Sequence, residues 1–198
     1  LLSGNPPMSN PLTTEANGDA LIVRFMRPEV RNPLSADVIA ALNRVMDNLT
    51  PATERLILTG GDGVFASGAD LREVAKLDAA AARGFAELGQ RLMNRISDLG
   101  VITIAAINGP CFGGALDLAL ACKRRIAAPA AAFCHPGVGL GIITGWGGTQ
   151  RLPRLIGEAR ALEMFFTAKP FPAEWALNAG LVDRIAEDPV MAEIEEAF

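Results

Sequence analysis

The chain has no apolar run long enough to cross a bilayer, no surplus of basic residues, no cysteines at close metal-binding spacing and only one histidine. Each scarcity removes a class of function. The apolar runs Leu21 to Phe25, Leu56 to Leu58 and Val101 to Ile107 fall far short of the ~20 residues a spanning helix needs, so no membrane partner is expected. Eighteen Lys and Arg stand against 22 Asp and Glu, for a net charge of −4. Phosphate backbones are bound by basic faces, so no nucleic-acid partner is expected. Cys111, Cys122 and Cys134 are odd in number and show no metal spacing, which predicts small buried hydrophobes in a reducing cytoplasm. No G-x-G-x-x-G follows the first strand and no P-loop is present, which argues against dinucleotide and P-loop nucleotide sites.

What is there is a globular profile. The chain has 198 residues, half of them apolar and a fifth charged, enough for one domain with a substantial core. It begins with Leu1, so residues 1–10 are set aside as a disordered, processed or cloning-derived end. The core domain is expected over 11–187, with a short helical remnant over 188–198. Asn17-Gly18 predicts a hairpin turn leading into a strand from Ala20 to Phe25. Ser35 predicts the start of a helix reaching about Leu49, with Val38, Leu42, Val45 and Met46 on one face. Arg55 to Thr59, Val101 to Ile107, Arg125 to Ala128 and Leu181 to Ile185 read as strands. Residues 79–98, 115–122, 157–167 and 172–179 read as helices, and Gly137 to Gly148 reads as a glycine loop. Alternating strands and helices predict an α/β fold with a mostly parallel sheet.

Two glycine turns carry the chemical signal. Gly113 and Gly114 stand just before a helix, whose first N–H groups have no intrahelical partner and whose dipole favours an anion. The same glycines would also serve tight strand-to-helix packing, and both readings stay open. The other turn, Ser67-Gly68-Ala69-Asp70, offers the Ala69 N–H as a second donor. Asp70 could equally cap a helix from Leu71 to Leu77. Two such donors aimed at one point would stabilise a carbonyl oxygen as it gains negative charge. Asp117 lies one turn into the apolar helix after Gly114. Desolvation there raises a carboxyl pKa and suits proton transfer, while a first-turn Asp also complements the helix dipole. His135 is open to a general-base role or to packing. Trp146 is open to a pocket wall or to plain core.

Together these motifs resemble the crotonase superfamily, the enoyl-CoA hydratase/isomerase group. The blocks occur in order: Asn32-Pro33-Leu34-Ser35, then Phe65-Ala66-Ser67-Gly68-Ala69-Asp70-Leu71, then Ile104-Ala105-Ala106-Ile107-Asn108-Gly109 with Gly113-Gly114, then Gly147-Gly148-Thr149-Gln150-Arg151-Leu152-Pro153-Arg154, and finally Ala179-Gly180-Leu181-Val182. The resemblance implies an α/β crotonase (ClpP-like) fold of stacked β-β-α units, assembled as a homotrimer or a dimer of trimers. It implies an acyl-CoA thioester as ligand, with coenzyme A part of the substrate and no other cofactor or metal. By position, Ala69 and Gly114 supply the two N–H donors. Ala69, Asp70, Leu71 and Arg72 line the adenine and pantetheine path, and Gly114 and Trp146 are further expected substrate-binding residues, Trp146 as a pocket wall.

The departures from the family pattern are specific. Family hydratases carry two glutamates, and the matching positions here hold Asp117 and Gly137. Asp is about 1.5 Å shorter in reach, and glycine has no side chain. Ala115 replaces a third glycine, and Lys123 replaces an acid. The helical tail of the family is expected to be truncated or absent here. Glu73 and Glu87 lie in segments that supply catalytic groups in other members. The expectation is an acyl-CoA-processing enzyme that stabilises a thioester enolate without the two-glutamate arrangement. The alternative is a crotonase-fold protein that binds acyl-CoA with little turnover.

Overall fold

The computed structural model describes residues 10–195. A hairpin opens it, β1 (Leu12–Asn17) against β2 (Ala20–Phe25). Asn17 pairs with Ala20, so Gly18 and Asp19 form the turn, and Gly18 takes φ 59°. The turn therefore sits one residue later than Asn17-Gly18 predicts.

A three-part unit then recurs, a long strand, a short strand and a helix. β2 leads to β3 (Pro33–Leu34) and α1 (Ala36–Asp47). β4 (Arg55–Gly60) leads to β5 (Gly68–Ala69), the short α2 (Leu71–Val74) and α3 (Ala79–Asp98). β6 (Ile102–Ile107) leads to β7 (Cys111–Phe112) and α4 (Gly114–Ala121). β8 (Arg124–Ala127) leads to β9 (Ala132–Cys134), then α5 (Gly148–Ile156) and α6 (Glu158–Thr167). The described chain closes with β10 (Phe171–Pro172), α7 (Ala173–Ala179), β11 (Arg184–Ile185) and α8 (Pro189–Glu195).

The long strands form one sheet in the order β1-β2-β4-β6-β8-β11, parallel from β2 onward. The short strands form a second layer, β3 with β5 and β7 with β9 and β10, linked by a bridge from Ala66 to Cys111. This is the stacked β-β-α architecture. The central strands β4 and β6 are buried on both faces, which is why they are nearly continuous apolar runs. Leu56, Leu58, Ala105 and Ile107 face the larger core, with Leu92, Met93 and Ile96 of α3. Ile57, Ile104 and Ala106 face the smaller one, covered by Val190 and Ala192 of α8.

Local differences have physical reasons. α1 ends at Asp47, two residues before the expected Leu49. The Ser35 hydroxyl donates to the Asp37 carboxylate, and the Ala36 N–H is accepted by Glu73 at 3.0 Å, so a distant acid caps α1. α5 has no counterpart among the expected helices, since it starts at Gly148 and contains Pro153. All three cysteines are free and buried, and burial raises each thiol pKa, that of Cys122 to about 12. Among the described residues no helix is long and apolar enough to cross a membrane, and no cluster of metal-ligating side chains occurs. The expectation for the N-terminal end falls mainly on residues 1–9, outside the described ones.

Candidate active site

The two glycine turns meet backbone to backbone. Gly68 has φ 88°, a left-handed value that a side chain resists. A Cβ there would lie 2.6 Å from both the Gly114 nitrogen and the Phe112 carbonyl oxygen. A Cβ on Gly114 would lie 3.3 Å from the Ala69 nitrogen. Glycine at both places is what lets two segments some forty residues apart approach so closely. Gly114 is the first residue of α4, so its N–H has no acceptor within the helix and sits at the positive end of the dipole.

Ala69 and Gly114 line one cavity of about 260 Å³. Leu71, Val74, Phe85, Leu140, Ile142 and Trp146 make its walls mostly apolar. Trp146 is 3% exposed and wedged between two helices. A Cβ on Gly89 of α3 would lie 2.1 Å from its indole nitrogen, and one on Gly114 would lie 2.6 Å from its ring. Its ring also packs on Phe85, with centroids 5.3 Å apart. Trp146 is thus both core and pocket wall.

Beside the cavity lies a buried polar cluster. Asp117 is fully buried, and its Oδ2 accepts a hydrogen bond from the Thr144 hydroxyl. Its Oδ1 lies 3.6 Å from His135 Nε2, beyond hydrogen-bond range. Among the described residues, Asp117 Oδ1 and both His135 ring nitrogens have no hydrogen-bond partner. Loss of hydration raises the Asp117 pKa to about 6, against the lowering effects of the Thr144 hydroxyl, the Trp146 amide and the Arg151 charge. The same desolvation lowers the His135 pKa to about 4. Phe165 flanks the imidazole, with centroids 5.0 Å apart. Gly148 makes room for the cluster, since a Cβ there would lie 2.1 Å from Asp117 Oδ1 and 3.0 Å from His135 Nε2.

The expected residues divide between the cavity and its surroundings. Ala69, Leu71, Gly114, Gly137 and Trp146 line the cavity; Asp117 stands behind its wall, and its neighbours His135 and Thr144 form that wall. Asp70 caps α2 by accepting the Arg72 N–H at 2.9 Å, and its carboxyl pKa is lowered chiefly by the hydrogen-bonded Arg72 guanidinium. The Arg72 side chain is 69% exposed and does not line the cavity. Gly137 is closed over by its own loop: a Cβ would lie 2.6 Å from the Ile142 carbonyl oxygen, and the Ile142 N–H donates to Gly137 at 3.0 Å. Glu73 caps α1 and Glu87 pairs with Arg83 and Arg91, so neither lines the cavity. Thr144 and Gly148 carried no signal as site residues, because their roles depend on Asp117, about thirty residues away.

Comparison with known proteins agrees in sequence and in shape. A sequence model described as enoyl-CoA hydratase/isomerase matches residues 15–197. The crotonyl-CoA hydratase of Syntrophomonas wolfei is 40% identical over 179 residues, covering 88% of this chain and 69% of that protein. The short-chain-enoyl-CoA hydratase of Clostridium acetobutylicum is 38% identical over 181 residues, covering 90% of this chain and 69% of its own length. The crystal structure of an enoyl-CoA hydratase from Bacillus anthracis superposes with a TM-score of 0.89 at 34% identity, covering 94% of this chain and 75% of that one.

Proposed function

The chain belongs to the enoyl-CoA hydratase/isomerase family, and we propose that it processes an acyl-CoA thioester through an enolate held by the main-chain N–H groups of Ala69 and Gly114. The observation that carries this reading is the close approach of the two turns beside one apolar cavity. Removing a proton next to a thioester carbonyl places negative charge on the carbonyl oxygen. A preorganised donor aimed at that oxygen is worth about 3–4 kcal/mol of barrier, and two donors act together. Coenzyme A enters as part of the substrate, and no separate cofactor is assigned.

The reaction class follows from the acid/base positions. Hydration is served by two carboxylates gripping one water. Gly137 supplies none, and the Ile142 carbonyl occupies the space where its side chain would begin. Asp117, behind the wall with its pKa raised to about 6, is the remaining carboxylate. One proton-transfer centre suits double-bond migration, decarboxylation or a similar enolate reaction better than hydration. Purified protein is expected to hydrate crotonyl-CoA far more slowly than a two-glutamate enzyme, followed as loss of enoyl-thioester absorbance. A mass-spectrometric screen of acyl-CoA thioesters would identify the preferred reaction. Ordinary hydratase turnover would contradict the reading of Gly137.

A second reading, an acyl-CoA-binding protein with little turnover, gains support from Asp117 standing behind the cavity wall with its Oδ2 taken up by the Thr144 hydroxyl. Binding of butyryl-CoA with neither product nor hydrogen exchange beside the carbonyl would favour it. The family resemblance further suggests a homotrimer or a dimer of trimers in the cytoplasm. Exposed Ile143 and Phe166, 70% and 71% accessible, are consistent with subunit contacts. Light scattering showing a monomer at assay concentration would remove that assignment.

A further inference from the structure

We infer that a second chamber beside the candidate active site takes the far end of the acyl chain, so that the protein favours medium-chain acyl-CoA thioesters over short ones. The inference rests on the acyl-CoA reading above and names the substrate class within it.

The chamber lies between α6 and the segment that follows β9. His135, Gly137, Ile142, Ile143 and Thr144 line both it and the main cavity, so one layer of residues stands between the two spaces. Val138, Phe165 and Phe166 line the chamber alone. Its volume is about 110 Å³. That is several times the ~10–15 Å³ that seats one water-sized group. The partition is thin where Gly137 meets Ile142. The Ile142 N–H donates to the Gly137 carbonyl at 3.0 Å, and position 137 adds no side chain to the layer.

The chamber's walls select hydrocarbon. Of the two polar side chains in the lining, Thr144 donates its hydroxyl to Asp117, and His135 keeps both ring nitrogens buried while its ring packs on Phe165. A polar group entering the chamber would give up water for little return, whereas methylenes gain by leaving water. Val138, Ile142, Ile143 and Phe166 are all exposed and gather at this one place. Grouped exposed apolar side chains mark a binding surface, and here the group adjoins a ligand cavity. An acyl chain held by its thioester oxygen at Ala69 and Gly114 fills the main cavity with its first carbons. Later carbons pass the Ile142–Ile143 edge to reach Phe165 and Phe166. The outer faces of Ile143 and Phe166, assigned above to subunit contacts, would roof the chamber in an assembly.

The test is calorimetric binding of free coenzyme A, butyryl-CoA and octanoyl-CoA to the full chain. Each methylene taken out of water is worth about fourfold in Kd. Octanoyl-CoA is therefore expected to bind at least about tenfold more tightly than butyryl-CoA. Val138→Trp fills the chamber from a half-exposed position that does not line the main cavity. It is expected to weaken octanoyl-CoA about tenfold while the Kd of butyryl-CoA changes less than about threefold. Val138→Asp sets a charge among the same walls, is expected to act in the same direction, and serves where the tryptophan variant fails to fold. Octanoyl-CoA binding no tighter than butyryl-CoA overturns the chamber's role and leaves the acyl-CoA reading intact. A preference for octanoyl-CoA that survives in a folded Val138 variant sends the chain elsewhere, toward Ala82 and Ala86 of α3, and also overturns the proposal. Neither thioester binding more tightly than free coenzyme A overturns both this proposal and the acyl-CoA reading.

Discussion

The two walls of the cavity are built on opposite principles. One wall, Ser67–Asp70 with Cys111–Gly114, is backbone against backbone, with glycines at positive φ and amide nitrogens held by surrounding sheet and helix. The other wall, Pro136–Gly145, is a segment whose Val138, Leu140, Ile142 and Ile143 are about half or more exposed. The first presents main-chain donors brought together by glycines whose places leave no room for a Cβ. The second presents side chains that can vary without disturbing the sheet. A thioester oxygen needs the same two donors whatever the acyl group, whereas the acyl group differs between reactions. The division of labour suits the proposed chemistry.

The largest test of this contrast is Trp146, where the walls join. Trp146→Ala should cost about 3–5 kcal/mol in a denaturant melt, and it should shift turnover toward longer acyl chains as the wall recedes toward Gly89. Unchanged chain-length preference would separate Trp146 from the acyl group. Next comes a matched pair of glycines. Gly68→Ala places a Cβ 2.6 Å from two backbone atoms at a positive φ and should cost about 2–3 kcal/mol. Gly139→Ala meets nothing within 4 Å and should stay within about 0.5 kcal/mol. Equal losses would end the distinction between a fixed and a tolerant wall. Within the loop, Gly137→Glu should lose about 1–3 kcal/mol, since its Cβ meets the Ile142 carbonyl, and should not restore crotonyl-CoA hydration. A gain in hydration rate would show that the loop can reopen.

The smallest effect is a slope with pH. Folding raises the Asp117 pKa from 3.8 to about 6, so its effect on stability is to lower it as pH rises through that window. Folding lowers the His135 pKa from 6.5 to about 4, so its effect is to raise stability as pH rises between those values. The two slopes oppose one another, each at most about 1.4 kcal/mol per pH unit. Relative to wild type, His135→Gln should lose the rising component and Asp117→Asn the falling one. Melts of both variants between pH 4 and 6.5 would show parallel curves if the pair does not titrate as described.

Much of the frame was legible because it repeats short-range patterns. Apolar runs such as Ile102–Ile107 locate the strands of a doubly buried sheet, and Phe85, Leu92 and Ile96 mark the inner side of α3. The helix over Gly148–Ile156 was hidden by its glycine start and internal proline. The β-β-α repeat left no strong sequence repeat, because its short strands are two or three residues long and are defined by pairing partners far along the chain.

The sequence alone determined the long strands, the glycine turns and the family to which the chain belongs, since each is written in residue type and spacing along the backbone. The tertiary structure alone decided that His135 stands at the cavity while Asp117 stands behind it, and that Ile142 closes over Gly137. The physical reason is that side-chain access depends on how separate segments pack. α4, the loop after β9 and the start of α5 reach a common point only once the sheet has brought them together.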